Sequence, residues 1–169
     1  MGHALIVIAH EGFQDQEYAG TRKGLEDASY TITVASTEAG ECIGKFGRKE
    51  EAALALRDVD VQDFDKVAFI GGPGAAALAD DEDAKRIARE TTKQGKVLGA
   101  ICIAPTILAR AGVLKGKRAT VWGNGGEEAA LLTEEGAIYT GEDVTVDGKI
   151  VTGNGPGAAE EFGRILAEL

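Results

Sequence analysis

Residues 96–111 read K-V-L-G-A-I-C-I-A-P-T-I-L-A-R-A. The run KVLGAI (96–101) is apolar without alternation, which predicts a strand buried on both faces, as in a parallel sheet covered by helices. Ile103 to Ala111 then predicts a helix, leaving Cys102 alone at the junction. A chain that passes from buried strand to helix through one reactive residue makes a tight turn, a nucleophile elbow, exposed at the carboxyl edge of the sheet.

The same alternation extends on both sides. Strands are predicted at ALIVIA (4–9), YTITVAS (30–36), KVAFI (66–70) and RATVW (118–122), with helices over Asp15–Asp27, Asp81–Lys93 and Ala158–Leu169. Repeated βα units of this kind predict an α/β fold, with a doubly wound, mostly parallel sheet sandwiched by helices. Two stretches break the pattern. CIGKFG and AALALR, within 42–57, read as a hairpin, an irregular excursion off the sheet or a short helix. DVTVDGKIVTG (143–153) carries an Asp147-Gly148 turn between two strand-like runs, a hairpin signal.

With 169 residues, 44% of them hydrophobic, the chain suits one core, so residues 1–169 form a single domain. Aromatics are only 5% while glycine numbers 24, which predicts a core of small and aliphatic residues with closely approaching backbones. A net charge of -10 opposes extended contact with nucleic acid or anionic membranes. The start, MGHALIVIAHEGF, lacks a signal-peptide pattern, and the longest apolar stretch, Val97 to Ala109, is interrupted by Gly99 and Pro105 and too short to span a bilayer. The expectation is a cytoplasmic protein. Cys42 and Cys102 form no CxxC or zinc spacing, so independent thiols are expected, and neither a metal nor another cofactor.

In doubly wound sheets the ligand site lies beyond the carboxyl ends of the strands. The loops there hold Glu11 to Glu17, Gly71 to Gly74 and Cys102 to Pro105. Free cysteine is commonly a small buried hydrophobe, but at a strand end the following helix dipole would lower the pKa of Cys102 and favour its thiolate. Gly71-Gly72-Pro73-Gly74 could supply oxyanion-hole amides or merely satisfy turn geometry. Glu17 could act as a general base or merely answer the helix dipole, with Asp15, the expected cap, and Glu11 as rivals.

Taken together, Glu17, GGPG (71–74), AICIAP (100–105) with the following TILARAGVLKGKRAT, and GKIVTGNGPGAAEEF (148–162) resemble the DJ-1/PfpI superfamily, relatives of class I glutamine amidotransferases. The resemblance spans nearly the whole chain. It implies a flavodoxin-like sandwich, usually homodimeric, with Cys102 as nucleophile, Glu17 as its protonated carboxylic partner, and Gly72 and Ile103 supplying oxyanion-like amides. In one branch of the family that cysteine is oxidised to a sulfinate held by the glutamate.

The departures are informative. The protease-like branch has histidine after the nucleophile, where this chain has Ile103, and other members bring a histidine from the strand after the elbow helix, where this chain has Trp122 in TVWGN. Only His3, at the far end of the first strand, and His10, at its near end, remain. Trp122 is expected to line or cap the pocket, or to pack structurally. Asn124 and Asn154 fall in glycine-rich turns, and Cys42 reads as a small hydrophobe in the excursion.

Three functions from different classes follow. One is glyoxalase-like chemistry on a small carbonyl compound, with Cys102 adding to a 2-oxoaldehyde and Glu17 moving protons. Another is a non-enzymatic sensor in which an oxidant modifies Cys102. The third, an intracellular protease or amidase, is disfavoured by Ile103 because no Cys-His-acid triad can be assembled.

Overall fold

The computed structural model describes residues 2–169. Strands β1 (His3–Val7), β2 (Glu11–Phe13), β3 (Thr31–Ser36), β4 (Gly40–Gly44), β5 (Lys49–Ala52), β6 (Leu54–Ala55), β7 (Lys66–Phe69) and β8 (Val97–Ile101) precede the elbow. After it come β9 (Arg118–Ala119), β10 (Ile138–Tyr139), β11 (Val144–Asp147) and β12 (Ile150–Gly153). The helices are α1 (Asp15–Asp27), α2 (Glu82–Lys93), α3 (Pro105–Arg110), α4 (Glu127–Glu134) and α5 (Ala159–Glu168).

Seven strands form the central sheet in the order β11-β12-β8-β7-β1-β3-β6, parallel throughout except for β11 against β12. Its inner order, β3-β1-β7-β8-β12, is that of a flavodoxin-like doubly wound sheet. Strand periodicity divides the core between the two faces. Leu5, Val7, Val67, Phe69, Leu98 and Ala100 face α2, α3 and α4, whereas Ala4, Ile6, Ala68, Ile70, Val97 and Ile101 face α1 and α5. Since both faces are covered, the central strands read as continuous apolar runs.

The small-residue composition has a local use. Helices α1 and α5 cross backbone to backbone, and a Cβ added at Gly20 would lie 2.9 Å from Ala159 Cβ, while one at Gly24 or Gly163 would run into the opposing main chain.

Residues 40–52 form the hairpin β4–β5, which joins β2 in a separate three-stranded sheet, order β2-β4-β5. The hairpin alternative holds for CIGKFG, with Cys42 fully buried on β4, whereas AALALR leaves the hairpin after Ala52, adds β6 to the edge of the central sheet and ends in a 3₁₀ turn at Leu56–Asp58. Asp147-Gly148 turns β11 into β12 as expected. Two expectations are corrected. The strand predicted at 118–122 is only Arg118–Ala119, paired with β10 outside the main sheet. The elbow helix begins at Pro105 rather than Ile103, because Cys102 adopts a left-handed φ of 65° and the chain needs a turn before it can wind.

Candidate functional site

Three loops at the carboxyl edge of the sheet converge on Cys102. Its N–H donates to Gly153 O (2.9 Å) and its carbonyl accepts from Trp122 N–H (2.9 Å), so neighbouring segments clamp the elbow from both sides. A positive φ on a non-glycine residue is strained and persists only where surroundings enforce it. The result is a thiol that is only 7% exposed.

Beneath the thiol lies Glu17, wholly buried in the first turn of α1. Its Oε1 accepts from Gly71 N–H (3.0 Å). Oε2 is buried without a partner of regular geometry, and the carboxyl lies within hydrogen-bonding range of the Cys102 thiol. The Gly71-Gly72 turn fits between them only because it lacks side chains. A Cβ at Gly71 would lie 2.6 Å from Cys102 Cβ and 2.8 Å from Glu17 Oε1, and Gly72, at φ 103°, would collide with Gln14 N and Gly12 O at 2.5 Å. The backbone N–H groups of Gly72 and Ile103 lie close enough to the thiol to favour its charged form. The structure thus brings Cys102, Glu17, Gly72 and Ile103 into one cluster.

Burial raises the Glu17 carboxyl to about 7, against the stabilising bonds from the Cys102 thiol and Gly71 N–H. The thiol is pushed up to about 12, first by burial and then by the charge of Glu17, while the Gly72 and Ile103 amides pull the other way. This corrects the expectation of a thiol lowered by a helix dipole. Helix α3 has six residues and begins with Pro105, which has no N–H to offer, so too little positive field reaches the sulfur to offset desolvation. Both shifts favour the neutral forms, a thiol beside a carboxyl that holds its proton far more readily than an exposed one.

The other sequence candidates lie elsewhere. Asp15 does not cap α1. That role falls to Gln14, whose side chain accepts from Glu17 N–H (2.8 Å). The Asp15 carboxylate instead accepts from Phe46 N–H and Arg48 N–H, both at 2.9 Å, and ties the β4–β5 hairpin to the helix. Glu11 and His10 are exposed and line a different depression with Thr37 and Asp81. His3 bonds Thr33 Oγ1 and packs on Phe64 at the opposite end of β1. Asn124 occupies a left-handed turn position (φ 49°), and Asn154 donates to Asp143. No group of three or more His, Cys, Asp or Glu is arranged to hold a metal among the described residues, and no helix there is long and apolar enough to cross a membrane.

Above the thiol a cavity of about 240 Å³ opens to solvent, lined by Gln14, Lys45, Gly72, Pro73, Cys102, Ile103, Trp122, Glu128 and Pro156. Trp122 is 49% exposed and forms one wall, against which a side chain at Gly155 would press at 2.9 Å. Gln14, Lys45 and Glu128 escaped sequence reasoning. Gln is a poor N-cap type, Lys45 reaches the site only through the hairpin, and the helix carrying Glu128 was hidden behind the WGNGG turn.

A flavodoxin-like sheet carrying a strained cysteine elbow, with a buried glutamate from the first βα segment beneath the thiol, defines a class of cysteine-centred α/β proteins. The chain belongs to the DJ-1/PfpI family, whose model matches residues 3–169. A Bacillus subtilis relative, YraA, provisionally named a cysteine protease, is 33% identical over 97% of this chain and 96% of its own length. The deglycase TK1284 of Thermococcus kodakarensis is 29% identical over 98% of both chains. The crystal structure of a ThiJ/PfpI domain protein from Brachyspira murdochii superposes with a TM-score of 0.93 at 31% identity, covering 98% of this chain and 94% of that one.

Proposed function

We propose that the protein transforms a small carbonyl compound through reversible addition of Cys102, with Glu17 as the proton carrier. The observation that carries this reading is the thiol–carboxyl pairing itself, a nucleophile at the floor of one cavity with a buried base of about pH 7 affinity beneath it. A base is most useful when its pKa lies near the working pH. With a 2-oxoaldehyde, the Cys102 sulfur bonds to the aldehyde carbon while the thiol proton passes to Glu17. The carbonyl π pair moves to oxygen, which the Gly72 and Ile103 amides and then that proton neutralise, giving a hemithioacetal. Glu17 next takes the proton from the former aldehyde carbon and returns it to the adjacent ketone carbon, while the hemithioacetal hydroxyl proton passes to the ketone oxygen, leaving a 2-hydroxy thioester on Cys102. Water finally releases the thioester as a 2-hydroxy acid. The aldehyde carbon is oxidised and its neighbour reduced, so no external redox partner is required.

Deglycases among the relatives favour carbonyl chemistry of this kind. The protease reading has less support, since no histidine side chain lines the cavity to serve as the base of a triad. A redox sensor requires a resting thiolate, and a thiol pushed up to about 12 is a poor one at neutral pH. We carry the homodimer and the cytoplasmic location as parts of the same proposal, the former checked by light scattering in solution. The deciding experiment is incubation with methylglyoxal. Lactate should form with the parent protein and not with Cys102→Ser, and equal yields from the two would sink the reading.

A further inference from the structure

Gln14 does more than cap α1. Of the polar side chains lining the cavity over Cys102, Gln14, Lys45 and Glu128, it alone is buried, at 8% exposure. The Lys45 ammonium lies over the Phe46 ring, 5.3 Å from its centroid, and the Glu128 carboxylate lies over the Gly123 turn, so neither is held toward the thiol. Gln14 is held. Its N–H donates to Gly71 O (2.9 Å), and its carbonyl accepts from Tyr18 N–H (3.0 Å). Its Oε1 accepts from Glu17 N–H (2.8 Å), which fixes the orientation of the side-chain amide. Nε2 is thereby turned away from the helix. It has no hydrogen-bond partner among the described residues, and it is not one of the side-chain atoms sealed from solvent, so this NH₂ group is open to the cavity that Gln14 lines.

A cap needs only an acceptor, and Asn, Asp or Ser supply one better than Gln does. A largely buried amide whose donors go unanswered is unfavourable until a ligand brings an acceptor. We propose that Gln14 Nε2 donates to the second carbonyl oxygen of a 1,2-dicarbonyl compound and so makes the site specific for 2-oxoaldehydes over simple aldehydes. The inference rests on the carbonyl reading above and deepens it. There the Gly72 and Ile103 amides answer the oxygen on the carbon that Cys102 attacks, and nothing answers the ketone oxygen one carbon further on. When Glu17 removes the proton from the former aldehyde carbon, the electron pair is shared with that ketone oxygen. A fixed donor at this oxygen stabilises the developing charge. No bond to Gln14 forms or breaks.

The experiment measures protection of Cys102 from iodoacetamide at pH 8 by methylglyoxal and by propanal, with alkylation of the Cys102 peptide followed by mass spectrometry. The readout is the ratio of the half-protecting concentrations, propanal over methylglyoxal. Both aldehydes compete for the same thiol, so a change in the thiol's own reactivity cancels. Gln14→Ser keeps an oxygen of preferred cap type on a side chain too short to serve the cavity, and Gln14→Met keeps the length while removing both polar atoms. In both variants the ratio should fall about three- to tenfold, as expected for loss of one hydrogen bond. A role confined to capping would leave Gln14→Ser at the parental ratio. An unchanged ratio in either variant, or no protection of the parent by methylglyoxal, would overturn the proposal. Lactate formation is scored separately. Lactate with an unchanged ratio removes the donor role alone, and a lowered ratio without lactate removes the isomerisation alone.

Discussion

Glu17 lies buried against the Cys102 thiol beside the Gly71-Gly72 turn, and each sets the proton affinity of the other. Since the Glu17 charge helps hold the thiol up at about 12, removing that charge should lower the thiol and enlarge the thiolate fraction. Glu17→Gln should therefore alkylate faster with iodoacetamide at pH 8, by about tenfold for each pH unit by which the thiol falls. The midpoint of the rate–pH profile should move below that of the parent. Slower alkylation would mean instead that a protonated Glu17 stabilises a resting thiolate.

The same burial makes folding stability fall with pH. Glu17 titrates at 4.5 when unfolded and at about 7 when folded, so between those values the native state binds more protons and loses stability as pH rises. The loss across that window is of order 3 kcal/mol and is complete above about pH 7. Glu17→Gln carries no titrating proton. Its denaturant-derived stability should be flatter between pH 4.5 and 7, and a parent-like slope in the variant would assign the dependence to other groups.

The sheet was legible because burial on both faces writes itself into β1, β7 and β8 as unbroken apolar runs. Cys102 was legible for the same reason, as the one reactive residue between such a run and a helix. What eluded the sequence depends on groups distant along the chain. The rise of the thiol to about 12 comes first from its own burial and then from the charge of Glu17, 85 positions away, and a local helix rule cannot contain either. Asp15 looked like a cap because Asp at a helix start usually is one; its actual partners are Phe46 and Arg48 on a hairpin that the sequence left undecided. Strand β9 is short because Thr120 leaves its ladder, its N–H donating to Thr152 Oγ1 and its own hydroxyl bonding Glu142 O.

Gly71 is required by contact rather than by φ. Gly71→Ala would place a methyl 2.6 Å from Cys102 Cβ, 2.7 Å from Ile101 O and 2.8 Å from Glu17 Oε1, with no flexible chain end among the first two to give way. Overpacking of this kind costs about 1–3 kcal/mol. The variant should lose that much stability in chemical denaturation, and its Glu17 and Cys102 should separate. The separation is checked by the thiol's pH–alkylation profile, which should approach that of Glu17→Gln; a profile like the parent's would show that the turn yields instead.

Lys66 predicts an effect far from the site. Though only 5% exposed, its ammonium donates to Leu166 O (2.8 Å) and Ala167 O (2.7 Å), answering carbonyls that the end of α5 would otherwise leave open. Lys66→Met keeps most of the buried volume and removes both bonds. The expected loss is about 1–3 kcal/mol, with faster amide exchange confined to the last turn of α5. Unchanged exchange there would show that the carbonyls find other partners.

Asp15 and Gln14 are adjacent in sequence and tie down different elements, so their variants should separate cleanly. In Asp15→Ala the amides of Phe46 and Arg48 lose a charge-assisted acceptor while α1 keeps its Gln14 cap, so exchange should quicken at the β4–β5 tip and not in α1. The stability loss should be about 1–2 kcal/mol. In Gln14→Ala the Glu17 N–H loses its acceptor, α1 frays at its first turn and the Glu17 carboxyl loses its fixed position under the thiol, so the alkylation profile of Cys102 shifts while the hairpin amides stay protected. Amide exchange followed residue by residue in both variants settles the matter. If Asp15→Ala opened the start of α1, or Gln14→Ala loosened Phe46 and Arg48, the hairpin and the helix would form one cooperative unit and the division of labour between these two side chains would be wrong.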